Sequence, residues 1–209
     1  MTWNMIAEHL WMVLVATILT AVVGLPLGVV SYLFPRARKV ILWTADILQT
    51  IPSLALLGVI MVLLGPGKMT VIVGLLLYSL LPVVRNTCLG LGEIDPAIKE
   101  AARGMGMTRF YALIHVELPL AFPMIFTGLR IATVTSVGVA VFANFVGGGG
   151  LGALIYRGIH IQSMSMILQG TLTLMVIAIV FDYGMAAIEK RLYHKNRRQS
   201  SPPPTLKTT

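Results

Sequence analysis

The sequence predicts an all-α, polytopic membrane protein with about five transmembrane helices. Hydrophobic residues make up 56% of the 209 residues and charged residues only 11%, whereas soluble domains carry about 25% charged residues. The mean hydropathy is +0.85. Five apolar segments reach the roughly 20 residues that a helix needs to cross the hydrocarbon core. These segments are roughly residues 10–34, 40–64, 69–88, 120–146 and 164–188.

The distribution of the sixteen Lys and Arg residues predicts the orientation. Three follow the first span, four lie at or in the loop after the third span, and six follow the fifth span. Only Lys68 and Arg157 fall on the opposite side, and Arg130 lies inside the fourth span. Because cytoplasmic loops carry the excess of Lys and Arg, we expect the N-terminus outside the cell and the C-terminus in the cytoplasm. Topology and contact with anionic membrane lipid then explain the net charge of +8 without a nucleic-acid partner.

We expect one transmembrane domain over residues 1–190. A tail over residues 191–209 is basic and then rich in Ser, Pro and Thr, and we expect it to be disordered in the cytoplasm. The first ten residues contain no Lys or Arg and do not form the basic start of a signal peptide, so the first apolar segment is expected to remain as a span. The single cysteine, Cys88, excludes a disulfide within the chain.

A seam of small side chains runs along the fourth predicted span. Gly128, Ala132, Ser136 and Ala140 follow one another at intervals of four residues and therefore share one helix face. Small residues let another backbone approach closely. The seam packs against a helix of the same chain, or it meets a second transmembrane subunit along a substrate pathway with Asn144 as its polar end.

The second predicted span contains a proline with polar neighbours. Pro52 interrupts helical hydrogen bonding, and Gln49 and Ser53 lie four residues apart on one face beside it. Polar groups at a helix break can line a translocation path, and they can equally form hydrogen bonds to a neighbouring helix. The candidate path residues are Gln49, Pro52, Ser53, Ser136 and Asn144.

Three ionisable residues, Asp46, Arg130 and Asp182, lie inside predicted spans. At 1.5 Å per residue, each lies roughly 10–16 Å from the cytoplasmic end of its span. Charges within a membrane are costly unless they are paired. We therefore expect Arg130 to pair with Asp182 or with Asp46, as a structural clamp or as part of an inner gate.

The loop over residues 89–119 is cytoplasmic by the same charge distribution. Asp95 is a favourable N-cap and Pro96 suits the first helical turn, so we expect a helix that begins there and stops at Leu118 and Pro119. Gly104 and Gly106 weaken this helix by about 2 kcal/mol, which indicates that something else stabilises it.

The small residues of this loop form a bare surface flanked by Met105, Met107, Phe110 and Tyr111. Such a surface fits the groove of another protein, although an amphipathic helix lying on the membrane surface would also explain it. The residues expected to make the contact are Glu100, Ala101, Ala102, Arg103, Gly104, Gly106, Met107 and Arg109.

The spacing of this loop resembles the EAA loop of binding-protein-dependent ABC importer permeases. Glu100-Ala101-Ala102, Gly106 and Leu118-Pro119 match the signature in spacing throughout, and only Val116 departs from it, where isoleucine is usual. The resemblance implies a coupling helix seated in a cleft of a separate ATPase, which binds ATP and Mg, and transport by alternating access. It further implies two copies of the ATPase, a second permease of the same or a sister chain, an extracytoplasmic solute-binding protein, and a multi-pass location in the bacterial inner membrane.

Further stretches resemble permeases of the osmoprotectant class, which import glycine betaine, choline, carnitine or proline betaine. Gly148 departs from the glycine-rich stretch of that class, where alanine is expected. Permeases of methionine importers share the five-span plan, so another amino acid stays an alternative substrate. The stretches are QTIPSLALLG (49–58), LLPVVRNTCLGL (80–91), DPAIKEAARGMGM (95–107), ELPLAFPMIFTGLR (117–130) and VGGGGLG (146–152).

Other functional classes lack supporting residues. His9, His115, His160 and His194 lie in four separate regions, so neither a metal site nor an intramembrane enzyme is expected. A secondary transporter or channel predicts inverted repeats, and none is visible. The glycine run at 147–150 is not a nucleotide-binding P-loop, because it lacks the Lys-Ser/Thr of that motif. We expect it to form a flexible external turn or a contact for the binding protein. Because the spans contain few Trp and Tyr residues, we expect substrate selection mainly in that binding protein.

Overall fold

The computed structural model describes residues 3–199, with side chains over residues 3–191, and every regular element in that range is a helix. Four helical segments are long and apolar enough to cross a membrane, and a fifth span arises if one bent helix pair is counted as a single crossing. The predicted all-α, polytopic fold class is therefore confirmed. The helices are α1 (Trp3–Leu33), α2 (Pro35–Thr50), α3 (Ser53–Leu64), α4 (Lys68–Gly92), α5 (Pro96–Gly104), α6 (Arg109–Ala112), α7 (Leu118–Val139), α8 (Leu151–His160) and α9 (Met164–Gln199), with a π-helical turn at Leu113–Glu117 and a 3-10 turn at Ala140–Val146.

The second predicted span is bent by 102° between α2 and α3. Pro52 has no backbone N–H, and it disfavours the helical conformation of the residue that precedes it. Ile51 accordingly has a ψ of 129°, and Pro52 has the same value. The helix predicted over residues 40–64 is therefore two shorter helices with an exposed proline at the corner.

The fourth helix, α4, is the most buried of the spans and forms the centre of the bundle. α1 packs along one side of it and α7 along another. A Cβ atom on Gly128 of α7 would lie 2.7 Å from the carbonyl oxygen of Pro82 in α4. A Cβ atom on Gly28 of α1 would overlap Thr87 of α4. Glycine at these two positions therefore lets the helices pack backbone against backbone.

Two apolar clusters fill the bundle, one at each end. The cluster at the N-terminal end, where α1 and α4 begin, comprises Met12, Val13, Ala16, Leu57, Val71, Ile72, Leu75, Val137, Ala140, Ala143 and Val146. The cluster at the opposite end, which we call the α5 end, comprises Leu91, Ile94, Leu113, Ala121 and Ile125. Ile98 of α5 packs against the second cluster, so the short helix is attached to the spans by apolar contact.

The small-residue seam of α7 packs within the chain. Gly128, Ala132, Ser136 and Ala140 are all buried, and the Oγ atoms of Ser136 and Ser79 lie 2.8 Å apart. Of the two interpretations of the seam, packing against a helix of the same chain is the one that the structure shows. Because α4 covers this face, a second subunit has no room to meet it there.

The last helix is longer than the predicted span over residues 164–188 and runs to Gln199. The basic residues after the span continue the helix, since Lys, Arg and Gln are favourable helix formers. The described helix thus includes residues 191–199, whereas a disordered tail beginning at residue 191 was expected. The final ten residues, 200–209, lie outside the described residues.

The segment between α7 and α9 is more ordered than predicted. A Cβ atom on Gly148 would lie 2.5 Å from a methyl group of Val71 in α4, and one on Gly150 would lie 3.3 Å from His9 Nδ1 in α1. The glycine run is thus a packed turn at the N-terminal end and not a flexible one. The helix α8 follows it directly and was not predicted from the sequence.

Candidate functional site

The candidate coupling segment, which spans residues 95–118, lies at the α5 end of the bundle. Asp95 caps α5 because its Oδ1 accepts a hydrogen bond of 2.8 Å from the backbone N–H of Ala97. Pro96 occupies the first turn, where its missing N–H costs no hydrogen bond. The helix start predicted from these two residues is confirmed.

A turn separates α5 from α6, where the sequence predicted one continuous helix. Gly106 has a φ of +78°, in the left-handed region that glycine adopts without steric cost. Thr108 then caps the next helix, with its Oγ1 accepting a hydrogen bond of 3.3 Å from the N–H of Tyr111. The prediction of an unbroken helix is therefore wrong after Gly104.

Leu118 and Pro119, which were predicted to stop the helix, lie inside a helical segment that runs continuously over residues 109–146. In a regular α-helix the ring of Pro119 would clash with the carbonyl group of His115, four residues earlier. The π-helical turn at Leu113–Glu117 widens the helix at this point and accommodates the proline. The predicted helix stop is therefore wrong, and the coupling segment is joined to α7 without a break.

The turn and α6 expose large apolar side chains. Met105 is 70% exposed and Phe110 is 71% exposed, and half of Tyr111 is exposed. Arg103 and Arg109 are exposed beside them. An exposed apolar patch with a charged rim is typical of a surface that binds another protein.

Most of the eight residues predicted to make the coupling contact are accessible. Ala102 is an exception because it is buried, and Met107 is half-buried. Ala102 lies four residues after Ile98 and so shares the face that packs against the spans. The accessible residues are Glu100, Ala101, Arg103, Gly104, Gly106 and Arg109.

A polar network that the sequence did not reveal attaches this segment to α1. The hydroxyl group of Tyr32, at the end of α1, donates a hydrogen bond of 2.7 Å to Glu117 Oε2. Lys99 of α5 lies with its Nζ 5.1 Å from the centroid of the Tyr32 ring and donates a hydrogen bond of 2.9 Å to the carbonyl oxygen of Leu91. Because Tyr32 precedes Lys99 and Glu117 by more than 60 residues, no local sequence pattern marks this contact.

Two carboxylates of α9 hold Arg130 of α7. The Nε of Arg130 donates a hydrogen bond of 2.7 Å to Asp182 Oδ1, and its Nη1 donates one of 3.1 Å to Glu189 Oε2. Thr127 also donates a hydrogen bond of 2.6 Å to Glu189 Oε1. Glu189 follows Asp182 by seven residues and so lies on the same face two turns later, a spacing that could have identified it from the sequence.

Asp46, the other carboxylate considered for Arg130, pairs with Arg85 of α4 at 2.7 Å. Both side chains of this pair are nearly half exposed. α2 packs against α1 and α4, so Asp46 faces a different neighbour from the one expected. The prediction that Asp46 could pair with Arg130 is therefore wrong, whereas Asp182 does contact Arg130.

The candidate path residues differ in accessibility. Pro52 is exposed at the corner between α2 and α3, and Gln49 and Ser53 are half-buried beside it. Asn144 is half-buried in the 3-10 turn. Ser136 is fully buried against α4 and contacts Ser79, so it does not line an open path in this conformation.

The histidines within residues 3–191 lie apart from one another. His9 is buried with its Nε2 at 3.1 Å from the carbonyl oxygen of Val137, and His115 Nδ1 lies 3.1 Å from the carbonyl oxygen of Tyr111. His160 lies beside the ring of Tyr156. In this range no group of three or more His, Cys, Asp or Glu side chains is placed to hold a metal ion.

Two comparisons of the sequence identify similar proteins. A family model described as binding-protein-dependent transport system inner membrane component matches residues 21–194. The glycine betaine/carnitine/choline transport system permease protein OpuCB of Bacillus subtilis (strain 168) is 38% identical over 188 residues, which cover 90% of this chain and 87% of that protein. The choline transport system permease protein OpuBD of the same strain is 42% identical over 186 residues, which cover 88% and 82%.

The fold also matches that of a solved transporter. A chain of the inward-facing MetNI methionine ABC transporter is similar with a TM-score of 0.82 and 25% sequence identity, over 92% of this chain and 99% of that chain. The family works with a separate ATPase and a solute-binding protein, so ATP hydrolysis is not a task of this chain. The chain therefore belongs to the family of binding-protein-dependent transport system inner membrane components, the multi-pass permeases of bacterial ABC importers.

Proposed function

We propose that this permease forms the membrane pathway of an ATP-driven importer for a quaternary-ammonium osmoprotectant. The relatives that carry glycine betaine, carnitine and choline in their names are 38% and 42% identical to it over most of its length. The observation that carries the mechanism is the exposed surface of α5 and α6, of which α6 continues without a break into α7. A surface with this connection suits the transfer of motion from a partner into a span.

The partner on this surface is the ATPase subunit. Met105 and Phe110 fill an apolar groove of the ATPase, while Glu100, Arg103 and Arg109 form polar contacts at its edge. The α5 end lies in the cytoplasm and the N-terminal end lies outside, as the distribution of Lys and Arg indicates. Two ATPase copies bind ATP and Mg, and a second permease and an extracytoplasmic binding protein complete the transporter.

Motion of α5 reaches the spans along two connections. The first is the continuous helix over residues 109–146, which moves α7 with the coupling segment. The second is the network of Tyr32, Lys99 and Glu117, which moves the end of α1. When ATP draws the two ATPase copies together, both spans tilt, and the pathway changes from inward-facing to outward-facing.

The corner at Pro52 supplies polar groups to the pathway. The last carbonyl groups of α2 have no partner in the next turn of a helix, so within a membrane they require water, another protein group or the solute. Gln49 and Ser53 lie beside this corner, and Asn144 contributes from the 3-10 turn. The Arg130 network acts as a clamp that keeps α7 and α9 together while the pathway opens and closes.

Reconstitution tests the proposed function. The permease, its ATPase and its binding protein in liposomes should take up labelled glycine betaine or choline only when ATP is present inside with the ATPase. Recovery of the permease without a bound ATPase after mild detergent extraction would contradict the importer mechanism. Uptake that continues without ATP would contradict it as well.

Methionine or another amino acid is the second candidate substrate. The match to the methionine transporter extends over 92% of this chain, but its sequence identity of 25% is well below the 42% shared with the choline permease. We therefore expect methionine uptake in the same liposomes to stay at the level without ATP. ATP-dependent uptake of methionine, without uptake of glycine betaine or choline, would reverse the assignment.

A further inference from the structure

The structure brings four aromatic rings together at the N-terminal end, although the spans contain few Trp and Tyr residues. The ring centroids of Phe142 and Phe145 lie 6.3 Å apart, and those of Phe145 and Tyr156 lie 5.0 Å apart with their planes at 72°. The ring of His160 lies 5.2 Å beyond that of Tyr156. The row runs from the 3-10 turn to α8, and no local sequence pattern predicts that the rings of these two elements meet.

The rings are accessible and held on rigid backbone. Phe145 is 47% exposed and Tyr156 is 39% exposed. A Cβ atom on Gly152 would overlap the backbone of Val141, so the start of α8 lies directly on the 3-10 turn. A Cβ atom on Gly158 would lie 2.9 Å from the backbone nitrogen of Ile167 in α9. α8 is therefore fixed at both ends, which keeps Tyr156 in place beside Phe145.

A positively charged residue, Arg157, lies next to this row of rings in the chain. Arg157 directly follows Tyr156, so the two Cα atoms lie about 3.8 Å apart. Its side chain is exposed and forms no ion pair with any side chain in residues 3–191. A guanidinium group without a carboxylate partner is available for a carboxylate of a ligand, which it can bind through two parallel hydrogen bonds.

We propose that Phe145, Tyr156 and Arg157 form a binding site for a zwitterion with a quaternary ammonium group at one end and a carboxylate at the other. The faces of the rings attract the ammonium group, and Arg157 binds the carboxylate. The site lies at the end proposed to face the binding protein, so it receives the solute on release. This inference rests on the proposed function and adds a selection step in the permease itself, which favours betaines over choline.

Two other roles of the aromatic row make different predictions. Aromatic residues are enriched at membrane interfaces, where they anchor a helix at the level of the lipid headgroups. An exposed apolar patch could also dock the binding protein. Neither role depends on the charge of the solute, so a comparison of charged and neutral ligands separates them from a solute site.

Direct binding tests the site in the complex of permease and ATPase, purified in lipid nanodiscs without the binding protein. Saturation-transfer NMR would detect the methyl protons of glycine betaine when they contact the protein. Choline lacks the carboxylate, and its neutral isostere, in which carbon replaces the nitrogen, also lacks the positive charge. We expect the affinity to fall from glycine betaine to choline and to be lost for the neutral isostere.

Three substitutions assign the contacts. Phe145→Leu keeps an apolar side chain but removes the ring, and it should weaken glycine betaine and choline alike by about fivefold. Arg157→Gln should weaken glycine betaine and leave choline unchanged. Tyr183→Phe, at an exposed tyrosine of α9 outside the aromatic row, serves as the control and should keep wild-type affinity. No saturation of the wild type, equal binding of the neutral isostere, or unchanged affinity in Phe145→Leu would each overturn the site.

Uptake by the complete transporter distinguishes this inference from the proposed function. If the wild type takes up neither glycine betaine nor choline, the proposed substrate class is wrong. If it takes up both and Phe145→Leu changes neither binding nor uptake, only the aromatic site is wrong. If Phe145→Leu weakens attachment of the binding protein with and without solute, the row is a docking surface and the site is overturned.

Discussion

Gly106 determines the shape of the coupling segment because its φ of +78° ends α5 and redirects the chain toward α6. Nothing lies within 4 Å of a Cβ atom added to it, so the space around the residue would accept a side chain. The requirement for glycine is therefore conformational. A bulky side chain would act through strain in the turn and not through a clash with the rest of the chain.

Replacement of Gly106 tests this requirement. Gly106→Val should reduce ATP-driven uptake strongly, since a side chain in the left-handed region costs about 1–2 kcal/mol and lowers the population of the native turn by about 5–30-fold. Gly106→Asn is the matched control, because asparagine tolerates this region, and it should retain most of the uptake. The measurement is uptake per amount of membrane-inserted permease. Normal uptake by Gly106→Val would contradict the role of the turn.

Arg130 is the residue on which the contact between α7 and α9 depends at the α5 end. It contacts both Asp182 and Glu189, and removal of the guanidinium would leave two carboxylates close together without a cation. Breaking such a group within a membrane protein is costly because unpaired charges there are poorly solvated. The pair of Arg85 and Asp46 is more exposed, so water compensates better for its loss.

We therefore expect Arg130→Gln to lower the thermal unfolding temperature of the purified permease clearly more than Arg85→Gln does. Both substitutions remove one positive charge and keep a polar side chain, which makes them a matched pair. Unfolding would be followed by the loss of monodisperse protein after heating in detergent. Equal effects of the two substitutions would show that the Arg130 network is not a clamp.

Among the elements, helix starts and bends were predictable from the sequence, whereas the continuous helix from α6 to α7 was not. The start of α5 at Asp95 and Pro96 was predictable because capping depends on neighbouring residues. The bend at Pro52 was predictable for the same reason. The passage of the helix through Pro119 was not, because it depends on a π-helical turn at Leu113–Glu117 that has no simple sequence signal.

Contacts between different helices are the part of the site that the sequence did not predict. Tyr32, Lys99 and Glu117 belong to three elements that are distant in the chain. Asp182 and Glu189 share one helix face, and only the second was overlooked. Contacts within one helix follow from spacing, whereas contacts between helices require the packing of the bundle.

Tyr32→Phe tests the link between α1 and the coupling segment. The substitution removes only the hydroxyl group that donates to Glu117, a hydrogen bond that contributes about 1.5–3 kcal/mol when its acceptor is charged. We expect several-fold less solute transported per ATP hydrolysed, with normal insertion into the membrane. Tyr183→Phe is the control, since Tyr183 lies exposed on α9. An unchanged ratio of transport to hydrolysis in Tyr32→Phe would exclude this link.

At the scale of the whole molecule, the two ends of the bundle have different tasks. The α5 end carries the surface proposed for the ATPase, and the N-terminal end carries the packed glycine turn, α8 and the aromatic row. Composition and hydropathy predicted the class and the four spans that are continuous helical segments, because the membrane selects long apolar helices, whereas the fifth predicted span is a bent helix pair. They could not predict which helix faces meet, since small residues such as those of the α7 seam serve contacts within and between chains alike.

The orientation proposed for the bundle can be tested with single cysteines, because the only cysteine, Cys88, is buried. In a Cys88→Ala background, Pro66→Cys places a thiol at the N-terminal end, and Arg36→Cys places one at the α5 end. Both positions are exposed. A maleimide that cannot cross the membrane should label Pro66→Cys in intact spheroplasts and Arg36→Cys only after the membrane is permeabilised. The opposite pattern would place α5 outside the cell, where it could not meet an ATPase, and would refute the coupling mechanism together with the orientation.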